Sequence, residues 1–275
     1  MEAETQPKVQ VRIHLNPNGI TTPLQRILRE SFNNVAVGLQ AVAQYQTELD
    51  LNLPTSFVQF RIGDQGEKLT KDQLEDLKGN FRTWLLTRAF EDFIKAVFAA
   101  LQEAYLYCEV MAGPPITLTS QDKVKAWLET MKADALKFNL PTLMNRVSSR
   151  LKSSLDVRDH ILSINKVRNC LEHRHGIIRQ KDINDSAKNA LVMKWRRMKV
   201  FYEKDGKEIE VRLGAEIQGP AKVMFRFEDT TKFFKLGERI QLSVDEFNEV
   251  MLTCSLLGQE IVSKLPTLPN VSRDA

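Results

Sequence analysis

The residues best suited to chemistry are concentrated in one segment, SINKVRNCLEHRHGII, residues 163–178. Arg168, Asn169 and His173 lie near the end of a helix-like run, and Gly176 follows them. An imidazole exchanges protons near neutral pH, and a guanidinium holds a phosphate through its forked donors. The segment therefore forms either a basic helix end exposed to solvent or a site that acts on a phosphodiester.

Arg168 falls on the apolar stripe of its predicted helix, where an apolar residue is expected. At ~100° per residue the stripe consists of Val157, Ile161, Ile164 and Leu171. A guanidinium stays charged, so it needs an anionic partner or an opening to solvent. Three arrangements meet that need: a buried stem whose head reaches water, an ion pair with Glu172 one turn on, or a groove that binds phosphate.

The spacing of the three polar residues limits how they can act together. Asn169 and His173 are four residues apart, so they share a face and the amide can fix the imidazole tautomer. Arg168 and His173 are five residues apart, which separates them by ~140° and ~7.5 Å along the helix. They converge on one ligand only if it lies across the helix end, or if a second copy of the helix supplies the partner group.

The positive charge of the chain is confined to the region of this segment. Residues 141–200 carry a balance of +9, whereas residues 1–140 carry −2 and residues 201–275 carry −3. Clustered positive charge is expected of a protein that binds a polyanion. A solvated basic face would give the same balance, and charge alone does not separate the two interpretations.

The composition predicts a cytoplasmic globular protein. The N-terminus is polar and acidic, and the most apolar helical run is interrupted by charged residues, so neither a signal peptide nor a membrane span is expected. Three separated cysteines (Cys108, Cys170 and Cys254) with no CxxC pair predict buried thiols rather than disulfides or a zinc site. His160, His173 and His175 have no suitably spaced cysteine or carboxylate, so no metal site is predicted.

Periodicity predicts a mainly α protein of the α+β class, a helical bundle with a small antiparallel sheet inserted before its last helix. Residues 8–15 alternate as a strand, and the predicted helices cover residues 23–49, 70–111, 119–138, 141–152, 154–173 and 244–265. A hairpin with a KDGK turn is predicted over residues 192–213, followed by two or three short strands within residues 221–243. Ser243 and Glu246 form the capping box of the last helix.

The segment RNCLEH resembles the signature of the HEPN superfamily, in which an arginine, usually followed by a polar residue, precedes a histidine near a helix end. The resemblance is close over residues 155–180, loose over residues 70–265, and does not extend to residues 1–60. It implies a HEPN-like bundle with the RNxxxH motif (61–190), and the periodicity adds an N-terminal strand-helix extension (1–60), the inserted sheet (191–243), the closing helix (244–265) and a tail (266–275).

The resemblance implies a dimeric endoribonuclease that needs neither metal nor cofactor and pairs two motif helices across a cleft. His173 would act as general base on a ribose 2′-hydroxyl or as acid on the leaving oxygen, and Arg168 would hold the scissile phosphate. Asn169 would orient the histidine or the phosphate, and the product would be a 2′,3′-cyclic phosphate. Phage defence or RNA restriction, toxin-like in character, is the implied setting, and a partner protein would regulate the enzyme.

One position departs from the family pattern. In members silenced by a partner nucleotidyltransferase, a tyrosine stands two residues after the histidine, whereas this chain has His175 there. Many members are catalytically inactive and bind RNA, nucleotide or a partner protein, so that function is the alternative. A structural bundle in which Arg168 pairs internally is the third interpretation.

Further basic residues are predicted to contact RNA. His175, Arg174 and Lys166 surround the motif, and Arg196 and Arg197 lie in WRRMK on a predicted strand. In a second interpretation, WRRMK is a charge-protected sheet edge, with Trp195 joining the sheet to the helices. No phosphate-binding glycine loop, dinucleotide fingerprint or serine-hydrolase elbow occurs in the sequence.

Overall fold

The computed structural model describes residues 15–44, 70–113, 121–211 and 221–267. Within these ranges the chain is mainly helical and carries a small antiparallel sheet before its last helix, which confirms the predicted fold class. In chain order the helices are α1 (Asn18–Gln44), α2 (Lys71–Ala112), α3 (Gln121–Lys137), α4 (Leu140–Ser148), α5 (Arg158–Arg174) and α6 (Val244–Lys264). The strands are β1 (Ala190–Lys204), β2 (Lys207–Glu210) and β3 (Val223–Lys235).

Local signals in the sequence set the starts of several helices. The Ser243 hydroxyl accepts from the Glu246 backbone N–H, and the Glu246 carboxylate accepts from the Ser243 N–H, which confirms the predicted capping box of α6. Thr70 and Gln73 make the same reciprocal bonds at the start of α2. The Asn139 side chain accepts from the Thr142 N–H and starts α4.

Tertiary contacts move the start of α5. The sequence predicts a helix from about Ser154, but α5 begins at Arg158. The Lys264 ammonium donates to the Ser154 carbonyl at 2.7 Å, and the Glu260 carboxylate accepts from the Asp156 N–H at 2.7 Å. These bonds to α6 hold the intervening turn in a non-helical conformation.

The start of α1 also differs from the prediction. The sequence predicts a helix that starts at about Pro23. The helix instead begins at Asn18, whose backbone N–H donates to the Asn16 side chain at 3.0 Å. Pro23 therefore lies inside α1, where it removes one backbone hydrogen bond.

The sheet has the order β2-β1-β3, with both neighbours of β1 antiparallel to it. Asp205 and Gly206 both have positive φ in the tight turn that joins β1 to β2, so the predicted hairpin is confirmed. The two or three short strands predicted after it are wrong, because β3 is one strand that pairs with β1 from Ala190–Lys235 to Tyr202–Val223. The polar residues at the centre of β3 are not buried, so the strand continues through them without a turn.

Side chains cover the open edge of β1 where β2 does not pair with it. The Val192 N–H and carbonyl bond to the Asn184 amide, and the Lys194 N–H donates to the Ser163 hydroxyl at 2.8 Å. The Arg196 N–H donates to the Thr253 hydroxyl at 2.9 Å. An uncovered edge of this kind is a template for pairing with other chains, so these bonds protect it.

One hydrophobic core joins the helices to the sheet. Leu191, Met193 and Trp195 of β1 are buried in the same cluster as the apolar faces of α2, α5 and α6. The Trp195 indole N–H donates to the Glu249 carboxylate at 2.6 Å, which confirms that this residue joins sheet and bundle. The strand predicted over residues 8–15 and the tail over residues 266–275 lie almost wholly outside the described residues.

Candidate functional site

Helix α5 presents the motif residues at its C-terminal end, as the sequence predicts. The apolar stripe of the helix is buried, which fixes the rotation of α5 against the core. The predicted stripe residues are Val157, Ile161, Ile164 and Leu171. Lys166, Asn169 and His173 lie on the opposite, accessible side, because i, i+3 and i+7 positions share a helix face.

The helix ends in a left-handed turn directly after the motif. His175 has φ 53° and Gly176 has φ 73°, and the Gly176 N–H donates to the Cys170 carbonyl at 3.1 Å. A Cβ at position 176 would lie 3.2 Å from the Leu171 side chain, so both backbone conformation and space favour glycine there. The turn sends the chain back across the helix end and leaves His173 in the last turn.

Arg168 is half-buried and already has partners. One terminal nitrogen lies 2.6 Å from the Glu172 carboxylate, and the other donates to the Asn169 side-chain oxygen at 3.2 Å. Its Nε is buried without a hydrogen-bond partner, and 21% of the side chain is exposed. The pairing with Glu172 that the sequence allows is therefore present, and it accounts for an arginine on the apolar stripe.

One carboxylate oxygen of Glu172 lies between the Arg168 guanidinium and the His173 imidazole. Oε2 of Glu172 is 2.6 Å from Arg168 Nη2 and 3.6 Å from His173 Nε2. The His173 side chain is 60% exposed, so its ring is open to a ligand from solvent. A single oxyanion across the helix end therefore reaches both groups within one chain, although ~140° of helix rotation separates them.

The structure separates the predicted RNA-contact residues around the motif. Lys166 and His175 are exposed, and the described residues give the Lys166 ammonium no ion-pair partner. Arg174 instead forms an ion pair with Asp182, where the two side chains are 11% and 2% exposed. Asp182 also accepts from the Arg179 N–H at 2.9 Å, so Arg174 fastens the chain after α5 to the helix end.

Arg196 and Arg197 point to opposite faces of β1, because successive strand residues alternate. Arg196 lies 3.5 Å from the Asp229 carboxylate. Arg197 pairs with Glu210 and lies 3.9 Å from Glu249. The two arginines of WRRMK therefore do not share one surface, and RNA contact by either remains a prediction.

Two residues near the site have no counterpart in the sequence prediction. Lys194 lies on the same face of β1 as Arg196 and has no ion pair within the described ranges. The alternation of the strand, with Trp195 inward, was enough to place Lys194 on that face. Asp182 carries no local signal, since its pairing with Arg174 depends on how the chain turns after α5.

The thiols do not supply a nucleophile at this site. Cys170 lies inside the motif but is buried, and its Sγ donates to the Ile177 carbonyl at 3.4 Å. Burial, and to a smaller extent the charge of Asp182, raises the pKa of the Cys170 thiol, which therefore stays protonated. Cys108 and Cys254 are buried and free as well, as the sequence predicts.

No helix within the described ranges is long and apolar enough to cross a membrane. The same ranges contain no cluster of three histidine, cysteine or acidic side chains that could hold a metal ion. Comparison with protein-family models, with curated proteins and with solved structures returns no match. The residues of the site and their geometry therefore carry the functional assignment.

Proposed function

We propose that this chain is a cytoplasmic endoribonuclease of the HEPN type, which cleaves RNA without a metal ion by attack of a ribose 2′-hydroxyl. The position of Glu172 carries the proposal. Its oxygen lies 2.6 Å from Arg168 and 3.6 Å from His173, where an oxygen of a scissile phosphate would contact the same two side chains. The carboxylate thus stands in for the substrate oxyanion.

The reaction assigns a separate task to each motif residue. His173 takes the proton of the 2′-hydroxyl, whose oxygen then forms a bond to phosphorus. The bond from phosphorus to the 5′-oxygen breaks, and that oxygen takes a proton from a second, protonated imidazole to give a 2′,3′-cyclic phosphate and a 5′-hydroxyl. Arg168 offsets the charge that grows on the phosphate oxygens, and Asn169 holds the guanidinium through the 3.2 Å bond to its side-chain oxygen.

A homodimer is part of the proposal, because the reaction needs a base at the 2′-hydroxyl and an acid on the opposite side at the 5′-oxygen. Within one chain, the group beside His173 is the Glu172 carboxylate, 3.6 Å away, which already pairs with Arg168. The motif helix of a second copy would supply the acid across a shared cleft. RNA restriction or phage defence, controlled by a partner protein, is the proposed setting. The histidine at position 175, in place of tyrosine, argues against control by nucleotidyl transfer to that position.

A second candidate is a catalytically inactive module that binds RNA, nucleotide or a partner protein. The ion pair favours it, because Glu172 and Asn169 already occupy both terminal nitrogens of Arg168. Such a module would bind RNA with an affinity that falls as salt rises but would release no product.

An RNA cleavage assay in EDTA tests the proposal, with wild type, Arg168→Ala, His173→Ala and a control, Arg82→Ala. Arg82 is an exposed residue of α2 with no ion pair in the described part of the chain, so its removal subtracts the same charge elsewhere. We expect cyclic-phosphate products from wild type and the control, and at least a hundredfold slower cleavage by the motif variants. Binding without product in wild type would leave the second candidate.

A further inference from the structure

A pocket of about 490 Å³ lies between α5, the turn that follows residue 183, and the first half of β1. Leu162 and Lys166 of α5 form one wall, Asn184 and Ser186 another, and Val192 and Lys194 of β1 the third. Its volume is within the range of pockets that bind small organic groups, which run from about 300 to 1,000 Å³. No step of the proposed reaction uses it.

The walls of the pocket are fixed by hydrogen bonds within the protein. Ser163 accepts from the Lys194 N–H at 2.8 Å and donates to the His160 carbonyl at 2.8 Å, which ties β1 to α5. Asn184 bonds to both the N–H and the carbonyl of Val192, which ties the turn to the strand. Since both sets of hydrogen bonds exist before a ligand binds, the pocket is preorganised, and binding loses little conformational entropy of the protein.

The ionised side chains that line the pocket leave a small positive balance. Lys166 and Lys194 are exposed and have no ion-pair partner in the described part of the chain. Two acidic residues also line the pocket. Asp159 lies 2.9 Å from the Arg158 guanidinium, which offsets its charge, whereas Asp185 accepts from the Lys188 backbone N–H at 3.1 Å and keeps its charge. Ammonium groups beside the apolar side chains of Leu162 and Val192 suit a ligand that is anionic at one end and flat and apolar at the other.

The pocket lies along the same face of α5 as the motif histidine. Lys166 and His173 are seven residues apart, which places them ~20° apart in rotation and ~10.5 Å apart along the axis. Asn169 lies between them on the same accessible side. At ~3.4 Å per stacked nucleotide, that distance corresponds to about three nucleotides of a single strand.

We propose that this pocket is a nucleotide-binding subsite for single-stranded RNA, about three nucleotides from the scissile phosphate. Lys166 and Lys194 contact the phosphates, and the base packs against Leu162 and Val192. The inference rests on the proposed function in so far as RNA is the ligand. It adds a second, separate anchor, so the enzyme prefers strands long enough to span both positions.

The test measures binding of a fluorescein-labelled single-stranded RNA of twelve nucleotides to the full chain carrying His173→Ala, which prevents cleavage during titration. In that background we compare Lys166→Ala with Lys194→Ala against Lys71→Ala with Lys125→Ala. The second pair removes two exposed charges from α2 and α3, away from the pocket. We expect the pocket pair to weaken binding at least tenfold and to lower the salt slope by about 1 for each lysine, and the control pair to do neither.

Substrate length separates this inference from the proposed function. With His173 present, the pocket pair should slow cleavage of the twelve-nucleotide strand much more than cleavage of a dinucleotide, which cannot reach the pocket. Cleavage and binding of the long strand unchanged by the pocket pair would overturn the subsite while the nuclease stands. A wild-type chain that neither cleaves nor binds RNA would instead overturn the proposed function.

Discussion

Glu172 holds Arg168 by an ion pair one helical turn long, with its carboxylate oxygen 2.6 Å from the guanidinium. The same oxygen is 3.6 Å from the imidazole of His173. The pair satisfies a charge that would otherwise be poorly solvated on the apolar stripe of α5. It also places a competitor where a phosphate oxygen would bind, so the resting chain and the RNA-bound chain compete for one guanidinium.

Replacing Glu172 by glutamine should therefore tighten RNA binding. The variant keeps the size of the side chain but removes the negative charge that competes with phosphate. Since i, i+4 helix pairs contribute about 0.3–0.5 kcal/mol, we expect a gain in affinity of about twofold, measured by titration of labelled RNA. Glu129→Gln, in an exposed pair with Lys132, is the control. A loss of affinity would mean that Glu172 chiefly positions the arginine.

The sequence predicts the motif but not all of its partners. The starts of α2 and α6 follow from short-range patterns, because in each helix the N-cap residue bonds to the residue three positions later. The Arg168–Glu172 pair is also local, since its two residues are one helical turn apart. The start of α5 and the role of Arg174 escape such patterns. Bonds to α6 set the first, and Asp182, which reaches Arg174 only after the chain turns, sets the second.

Removal of Asp182 should destabilise the protein strongly. The variant Asp182→Ala leaves the Arg174 guanidinium buried without its counter-charge and frees the Arg179 N–H. Breaking a buried pair by removing one partner costs about 3–5 kcal/mol, which urea denaturation measures as a fall in the free energy of unfolding. Asp134→Ala breaks the exposed pair with Lys137 and should change it by less than about 1 kcal/mol. Equal effects of the two variants would contradict the structural role of Asp182.

Thr253→Val should weaken the junction of sheet and bundle. The buried hydroxyl of Thr253 accepts from the Arg196 N–H at 2.9 Å, and valine has nearly the same shape without that acceptor. An unpaired buried N–H costs about 1–3 kcal/mol, which thermal or urea unfolding detects. Thr130→Val, on the exposed face of α3, provides the comparison, since Thr130 bonds only within its own helix. No difference between the two variants would show that water satisfies the Arg196 N–H.

Stability should fall in alkaline solution because of the buried thiols, most strongly those of Cys108 and Cys254. Burial raises the pKa of Cys108 to about 11 and that of Cys254 to about 12, from 9.0. Well below pH 9, the thiols are protonated in both the folded and the unfolded chain. Between pH 9 and pH 11 the unfolded chain loses the thiol protons first, so the free energy of unfolding decreases as pH rises. Urea denaturation at pH 8, 9.5 and 10.5 should show this decrease, and Cys254→Ala should reduce the slope.

The three side chains that cover the open edge of β1 also fix the position of this strand along the helices. Sliding β1 by two residues keeps every side chain on its original face, so a hydrophobic pattern alone does not penalise the shift. Asn184, Ser163 and Thr253 do, since each one bonds to a particular peptide unit, at Val192, Lys194 and Arg196 respectively. A shift of β1 by two residues would move Trp195 about 6.6 Å away from Glu249 and leave the indole N–H without its acceptor.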